Sequence, residues 1–176
     1  MRRAPLAVAG AALLLAGCSA TPEDPESLPP PPVPANGSNQ AELGGSIRLA
    51  SDTVQVRVSL DRISDPVAVA PADAPLTPNA RFAGASITIR NVGDTPYDES
   101  PLSDASLVLS GGAKVLGEGV LGGPCSRGFA SHVTVPPGAE RSGCIAFEVP
   151  AKQQPATFQF ALDSGFGEEV GMWKLG

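Results

Sequence analysis

The sequence predicts an all-β domain, an antiparallel β-sandwich of about seven to nine strands behind a signal peptide and a disordered tether. Three observations carry that prediction. From Gly45 onward, apolar residues alternate with polar ones in short runs; Gly and Pro separate the runs; and no segment sustains a helical period. The chain has 176 residues, the length of a single domain, and is 42% hydrophobic but only 5% aromatic and 17% charged. Its 20 Gly and 19 Pro approach the level of low-complexity sequence, yet much of that excess lies outside the alternating runs.

The leader comes first. Met1-Arg2-Arg3 is a basic start, and Pro5 to Ala16 is uncharged and apolar. Such a run is too short to span a bilayer, which takes roughly 20 helical residues, and suits the apolar region of a signal peptide. It ends in Leu15-Ala16-Gly17-Cys18, followed by the polar Ser19. This ending resembles the lipobox of bacterial lipoproteins and implies cleavage after residue 17 and diacylglycerol on Cys18, with further palmitate-type acylation. An ordinary signal peptide with a stray cysteine is the alternative. Removal of residues 1–17 takes two of the 12 basic residues and none of the 18 acidic ones, so the mature chain carries −8 rather than −6. Two or three acyl chains hold a protein on a membrane far better than one, at about 0.8 kcal/mol per buried methylene.

Residues 18–44 read as the lipidated Cys and a proline-rich linker. Pro29 to Pro32 are consecutive, a polyproline II spacer rising about 3.1 Å per residue, and the segment lacks the apolar periodicity that burial requires.

Residues 45–176 form the predicted sandwich. Val54, Val56, Val58 and Leu60 alternate with Gln55, Arg57 and Ser59. Ile87 and Ile89 repeat the pattern, as do Leu107 with Leu109, Val133 with Val135, and Ile145 with Phe147 and Val149. Phe158, Phe160 and Leu162 share a face, and Trp173 with Leu175 ends the series, with Trp173 expected in the core. Turns are marked by Asn91-Val92-Gly93-Asp94, Gly111-Gly112, Gly122-Gly123, Pro136-Pro137-Gly138 and Pro150. Gly93 and Gly138 are expected at positive φ. Residues 64–80, rich in proline, suit a long crossing loop or an irregular edge. The number and spacing of strands are of immunoglobulin-like type.

Cys125 and Cys144 form an even pair with one turn between them, which suits a disulfide in an oxidising compartment. Alternation puts Cys144 opposite the Ile145 face, toward the outside of the sandwich. A free thiol pair or a metal site is the alternative.

Three segments together resemble a known family. Residues 81–97 are a strand followed by an N-x-G-D turn, residues 137–150 a P-G turn and a strand ending in F-E-V-P, and residues 171–175 place a Trp in the final strand. They look like the immunoglobulin-like domain of small exported antigens and lipoproteins of unknown function in GC-rich Gram-positive bacteria. The resemblance spans roughly residues 50–175 and implies a sandwich outside the membrane with no established enzymatic role and no catalytic residues to assign. The stretch 64–80 departs from its tighter pattern.

Chemistry-bearing residues are sparse. The acidic balance argues against nucleic acid, whose binding needs clustered Lys and Arg. His132 is the only histidine and lies on the polar side of its run, and no G-x-S-x-G elbow, zinc or copper spacing, or phosphate loop occurs. No catalytic residue, resident metal or cofactor is therefore assigned. Among the loops, residues 91–104 combine the only Tyr with four acids. Tyr97, Asp98, Glu99 and Asp104 are the candidate partner-binding residues, an amphipathic ring beside charges that would attract a basic surface. With Asp94 the same acids could serve calcium, though the EF-hand spacing is missing; a plain solvated turn is the other alternative. The expected function is a lipid-anchored, extracytoplasmic binding module at the cell membrane, without catalysis, presenting its loops to an envelope protein or polymer. The alternative is a carrier holding a small apolar ligand between the sheets.

Overall fold

The structure is a computed structural model that describes residues 39–119 and 123–176. The apolar leader, Cys18 and the proline-rich stretch through residue 38 lie outside the described residues. Three long strands, β3 (Gln55–Ser64), β4 (Ala80–Asn91) and β9 (Glu140–Pro150), join the shorter β2 (Ser46–Ala50) in a four-stranded sheet ordered β2-β3-β4-β9. The facing sheet is built from β1 (Gln40–Glu42), β6 (Ala105–Leu109), β7 (Lys114–Leu116), β10 (Pro155–Ala161) and β11 (Val170–Lys174), in the order β1-β11-β10-β6-β7. A separate pair, β5 (Tyr97–Glu99) and β8 (Val133–Val135), closes one end. The ladders are antiparallel except β1–β11, which is parallel with Ala41 opposite Trp173.

An antiparallel sandwich is what alternation predicts, because each strand has one apolar face to bury. Val56, Val58, Leu60, Ile87, Ile89, Ile145, Phe147 and Val149 from one sheet meet Leu107, Leu109, Phe158, Phe160 and Trp173 from the other, all within one buried cluster. Each such side chain contributes about 1.5–3 kcal/mol on burial. Phe147 and Phe158 meet edge to face across the gap at 6.2 Å, and Phe158 lies 5.5 Å from Trp173. The Trp173 indole N–H donates to the Gly45 carbonyl at 2.9 Å, so the ring is core and its one polar group is satisfied.

Eleven strands are present among the described residues rather than seven to nine, because strands of three residues such as β1, β5 and β7 are too short to show alternation. The domain also starts earlier than Gly45. Residues 40–42, assigned by composition to the linker, form β1, held by its ladder and by the Met172 N–H donating to the Asn39 carbonyl at 2.8 Å. An edge strand of this kind needs backbone pairing more than apolar side chains.

Residues 65–79 do not cross between sheets, since β3 and β4 are neighbours. They fold over the outer face of the four-stranded sheet, where Val67 packs with Phe82, Ala146 and the Cys125–Cys144 disulfide. The Val67 N–H donates to the Phe82 carbonyl at 2.7 Å. Arg81 grips both Asp65 oxygens, at 2.6 and 2.7 Å, and Glu148 accepts the Leu76 and Thr77 N–H groups. Those N–H groups, with the Thr77 side chain foremost, hold the Glu148 carboxyl below the usual carboxylate range.

Two turn assignments differ from expectation. Gly138 has φ +76°, but Gly93 is not left-handed; its Cβ would stand 3.1 Å from Gln55 Cβ, so close approach requires it. Gly123 opens a short 3-10 turn, Gly123–Cys125, rather than a hairpin.

Candidate functional site

The site grows from a one-turn helix, α1 (Pro101–Asp104). Ser100 caps it, its hydroxyl accepting the Ser103 N–H at 3.4 Å, and Pro101 supplies a preset φ at the first helical position. This turn carries Asp104 inward, where it is 2% exposed. The Tyr97 hydroxyl donates to Asp104 Oδ2 at 2.6 Å, and Tyr97 itself is 0% exposed. The expectation of Tyr97 as an exposed docking ring is therefore corrected. Pairing opposite Val135 turns the ring into the core, and Asp104 follows because the phenol needs an acceptor there.

The remaining acids diverge. Asp98 stays on the surface, accepting from Thr134 Oγ1 at 2.5 Å and meeting His132 Nε2 at 2.9 Å. The Thr134 hydroxyl holds its carboxyl below the ordinary value, helped by His132. Glu99 accepts the Asp163 N–H at 2.8 Å, and Asp94 sits exposed in its turn. No group of three or more His, Cys, Asp or Glu among the described residues is arranged to hold a metal ion.

Burial pushes the Asp104 carboxyl up to about 7; the Tyr97 hydroxyl opposes that, and the neighbouring Glu99 carboxyl adds to it. Burial and the same Asp104 charge push the Tyr97 hydroxyl up as well. The Glu99 side chain and the Ser164 backbone N–H also meet this carboxyl, while Asp104 Oδ1, sealed from solvent, makes no well-formed hydrogen bond among the described residues. An unmade bond of this kind costs about 1–3 kcal/mol.

Asp104 is also among the residues that line a cleft of about 480 Å³ on the outer face of the five-stranded sheet. Leu116, Ser106 and Gln159 sit side by side across β7, β6 and β10 and form its floor, a row fixed by register. Leu102 of α1 forms one wall. Packed against α1 and also lining the cleft is the turn α2 (Leu162–Gly165), in which Asp163 and Ser164 take φ of 56° and 58° and Gly165 follows at 83°. Left-handed backbone at non-glycine residues costs about 1–2 kcal/mol each. Glu99 on the Asp163 N–H and the Gly167 N–H donating to the Leu162 carbonyl at 2.8 Å brace it. Beyond the turn, Phe166 stands 89% exposed at the rim, and Leu116 is 63% exposed. This cleft lies outside the sandwich, not between the sheets.

Of the expected residues, Asp104 lines the cleft, Glu99 and Tyr97 support it, and Asp98 faces away into its own surface cluster. Sequence reasoning missed Leu116, Ser106, Gln159 and Phe166. Ser100-Pro101 was the available signal for α1, and Asp163-Ser164-Gly165 for the turn.

No protein-family model and no curated protein sequence matches the chain. Solved structures do share its architecture. The secreted protein MPT63 from Mycobacterium tuberculosis is 19% identical with a TM-score of 0.54, over 77% of this chain and 95% of that one. The yjhA protein from Bacillus subtilis is 12% identical with a TM-score of 0.51, over 77% of this chain and 99% of that one. At these identities the likeness is one of fold.

Proposed function

We propose that this chain is a lipid-anchored, extracytoplasmic binding module that performs no catalysis and takes its ligand in the outer-face cleft. One observation carries the reading: a partly apolar cleft on the outer face of the five-stranded sheet, where exposed Leu116 and Phe166 stand beside the polar Ser106 and Gln159. Apolar lining with a few polar groups is the usual composition of a recognition site. The described cysteines are joined to each other, and His132 meets a carboxylate on the open surface, so neither offers a nucleophile or base to the cleft. Cys18 in its lipobox-like setting supports the anchor, and the secreted nature of MPT63 agrees with an exported domain. Among the described residues, no helix is long and apolar enough to cross a membrane.

The test is native mass spectrometry of the chain taken from the membrane fraction. Wild type should carry a bound molecule that the double variant Leu116→Ser/Phe166→Ser loses; an empty wild type, or equal loading of both, would refute the cleft as the site. Wild type should enter the detergent phase with a modified Cys18, and Cys18→Ala should remain an uncleaved precursor. An unmodified wild-type N-terminus in the aqueous phase would remove the anchor.

A further inference from the structure

We propose that the side of the sandwich between β7 and β9 is a docking groove for an extended peptide of alternating apolar and basic residues, which adds to the β7 edge as a further strand. The groove follows from where the two sheets part. β7 ends the five-stranded sheet and β9 ends the four-stranded one. Just beyond β7 the chain meets β9 in an isolated bridge. There the Glu118 N–H donates to the Ala146 carbonyl at 2.7 Å, and the Ala146 N–H to the Glu118 carbonyl at 3.2 Å. Back from that bridge, residues 114–116 turn away to pair with β6, so the two edges diverge. The opening between them is about 410 Å³, with Val115, Leu116 and Glu118 on one side and Leu76, Glu148 and Pro150 on the other.

The ladder decides which main-chain groups face this opening. The Leu109 N–H donates to the Ala113 carbonyl at 2.8 Å, and the Gly117 N–H to the Ala105 carbonyl at 3.2 Å. Antiparallel pairs alternate, so Val115 also bonds to β6, while the N–H and C=O groups of Lys114 and Leu116 point away from it. Glu118, next in that alternation, uses the same direction to reach Ala146. An outward row of this kind on an edge strand is a template for strand addition.

The side chains set the chemistry of the partner. Glu118 and Glu148 both line the groove, and no Lys or Arg does so among the described residues. Burial, then the Glu148 charge, push the Glu118 carboxyl up, so a cation beside the two relieves both costs. Leu76, 93% exposed, and Leu116 offer apolar surface next to them. An extended chain sends successive side chains to opposite faces. Alternating residues therefore cover the leucines with one set and carry the long stems of Lys or Arg to the carboxylates with the other. The net charge of −6 favours approach of a basic segment.

The experiment is an NMR titration of the full chain with the end-blocked peptide Lys-Val-Lys-Val-Lys, its counterpart with Glu for Lys, and a basic copy with every backbone nitrogen methylated. The basic peptide should give saturable shifts at Lys114, Leu116 and Glu148. The acidic peptide should give none, and methylation should weaken binding at least tenfold. Glu118→Lys should weaken the basic peptide at least tenfold. Leu116→Pro removes an outward N–H and no bond to β6, so it should bind at least tenfold more weakly than Leu116→Ala, which keeps that N–H. Should Leu116→Pro fail to fold, the methylated peptide tests the same bonds on wild type. Phe166→Ser, in the neighbouring cleft, should leave binding unchanged, so this groove and the cleft stand or fall separately. Equal binding of basic and acidic peptides would overturn the charge assignment, and equal binding of the methylated copy would overturn strand addition. Shifts confined to Ser106 and Gln159, or no saturable shifts, would overturn the groove. A dimer in sedimentation that Leu116→Pro dissolves would give this edge to a second copy of the chain and overturn the peptide as its occupant.

Discussion

The Tyr97 hydroxyl donates to Asp104 Oδ2 over 2.6 Å with both residues sealed from solvent. Two sequence-adjacent segments, β5 and α1, are thereby fastened to each other through the core. Tyr97→Phe removes that donor while keeping the ring, leaving Asp104 still less satisfied. Stability should drop by about 1–3 kcal/mol in chemical denaturation, and more at pH 8 than at pH 5, because a charged acceptor loses more than a neutral one. A Phe variant as stable as wild type at pH 8 would show that the bond contributes nothing net.

Asp104 should also write its own pH dependence into folding. An ordinary Asp loses its proton near about 4 in the unfolded chain, whereas folded Asp104 is pushed up to about 7. Between those values the native state binds the extra proton, so stability from this group is complete below about 4 and is lost as pH rises through about 7. Relative to Asp104→Asn, wild type should lose on the order of 4 kcal/mol between pH 4 and pH 8, at about 1.4 kcal/mol per unit of pKa. Parallel stability curves for the two proteins would mean that Asp104 titrates normally.

Gly84 sits directly beneath the disulfide: a Cβ there would lie 2.8 Å from Cys125 Sγ and 3.2 Å from Cys144 Sγ. Gly84→Ala should cost about 1–3 kcal/mol through overpacking. In a Cys125→Ala/Cys144→Ala background the same substitution should cost far less, since the sulfurs are gone. The cysteine pair itself should be worth about 3 kcal/mol, with the fold retained without it. Full additivity in the resulting double-mutant cycle would contradict the contact.

Gly171 offers a spectroscopic check on the core. A Cβ at this position would stand 2.9 Å from Trp173 Cζ3 and 3.5 Å from Ile47 Cδ1. Gly171→Ala should destabilise by about 1–3 kcal/mol and alter the emission of Trp173, the only Trp in the chain. Unchanged fluorescence and stability would place the indole elsewhere.

The sandwich was legible because its long strands obey period two over enough residues to average out exceptions, as in Val56, Val58 and Leu60. The outward place of the disulfide was legible for the same reason, one residue away from Ile145. Short elements escaped. Gln40-Ala41-Glu42 has no apolar rhythm, and only the presence of Trp173 alongside makes it a strand. Tyr97 was misread because burial is a tertiary property: its acidic neighbours suggest water, while its register opposite Val135 delivers the ring to the core. The cleft floor draws on β6, β7 and β10, and side chains so far apart in sequence become a row only through register.

The parallel pairing of β1 with β11 fixes how the domain would bear load. Because the two strands point the same way, a pull toward residue 39 and an opposing pull at Gly176 act along the ladder rather than across it. Gln40, Ala41 and Glu42 must then slip past Met172, Trp173 and Lys174 together, in shear, instead of unzipping one pair at a time. A domain tugged from a tethered end resists best in that loading direction, and the buried Trp173 ring anchors the strand that takes the strain.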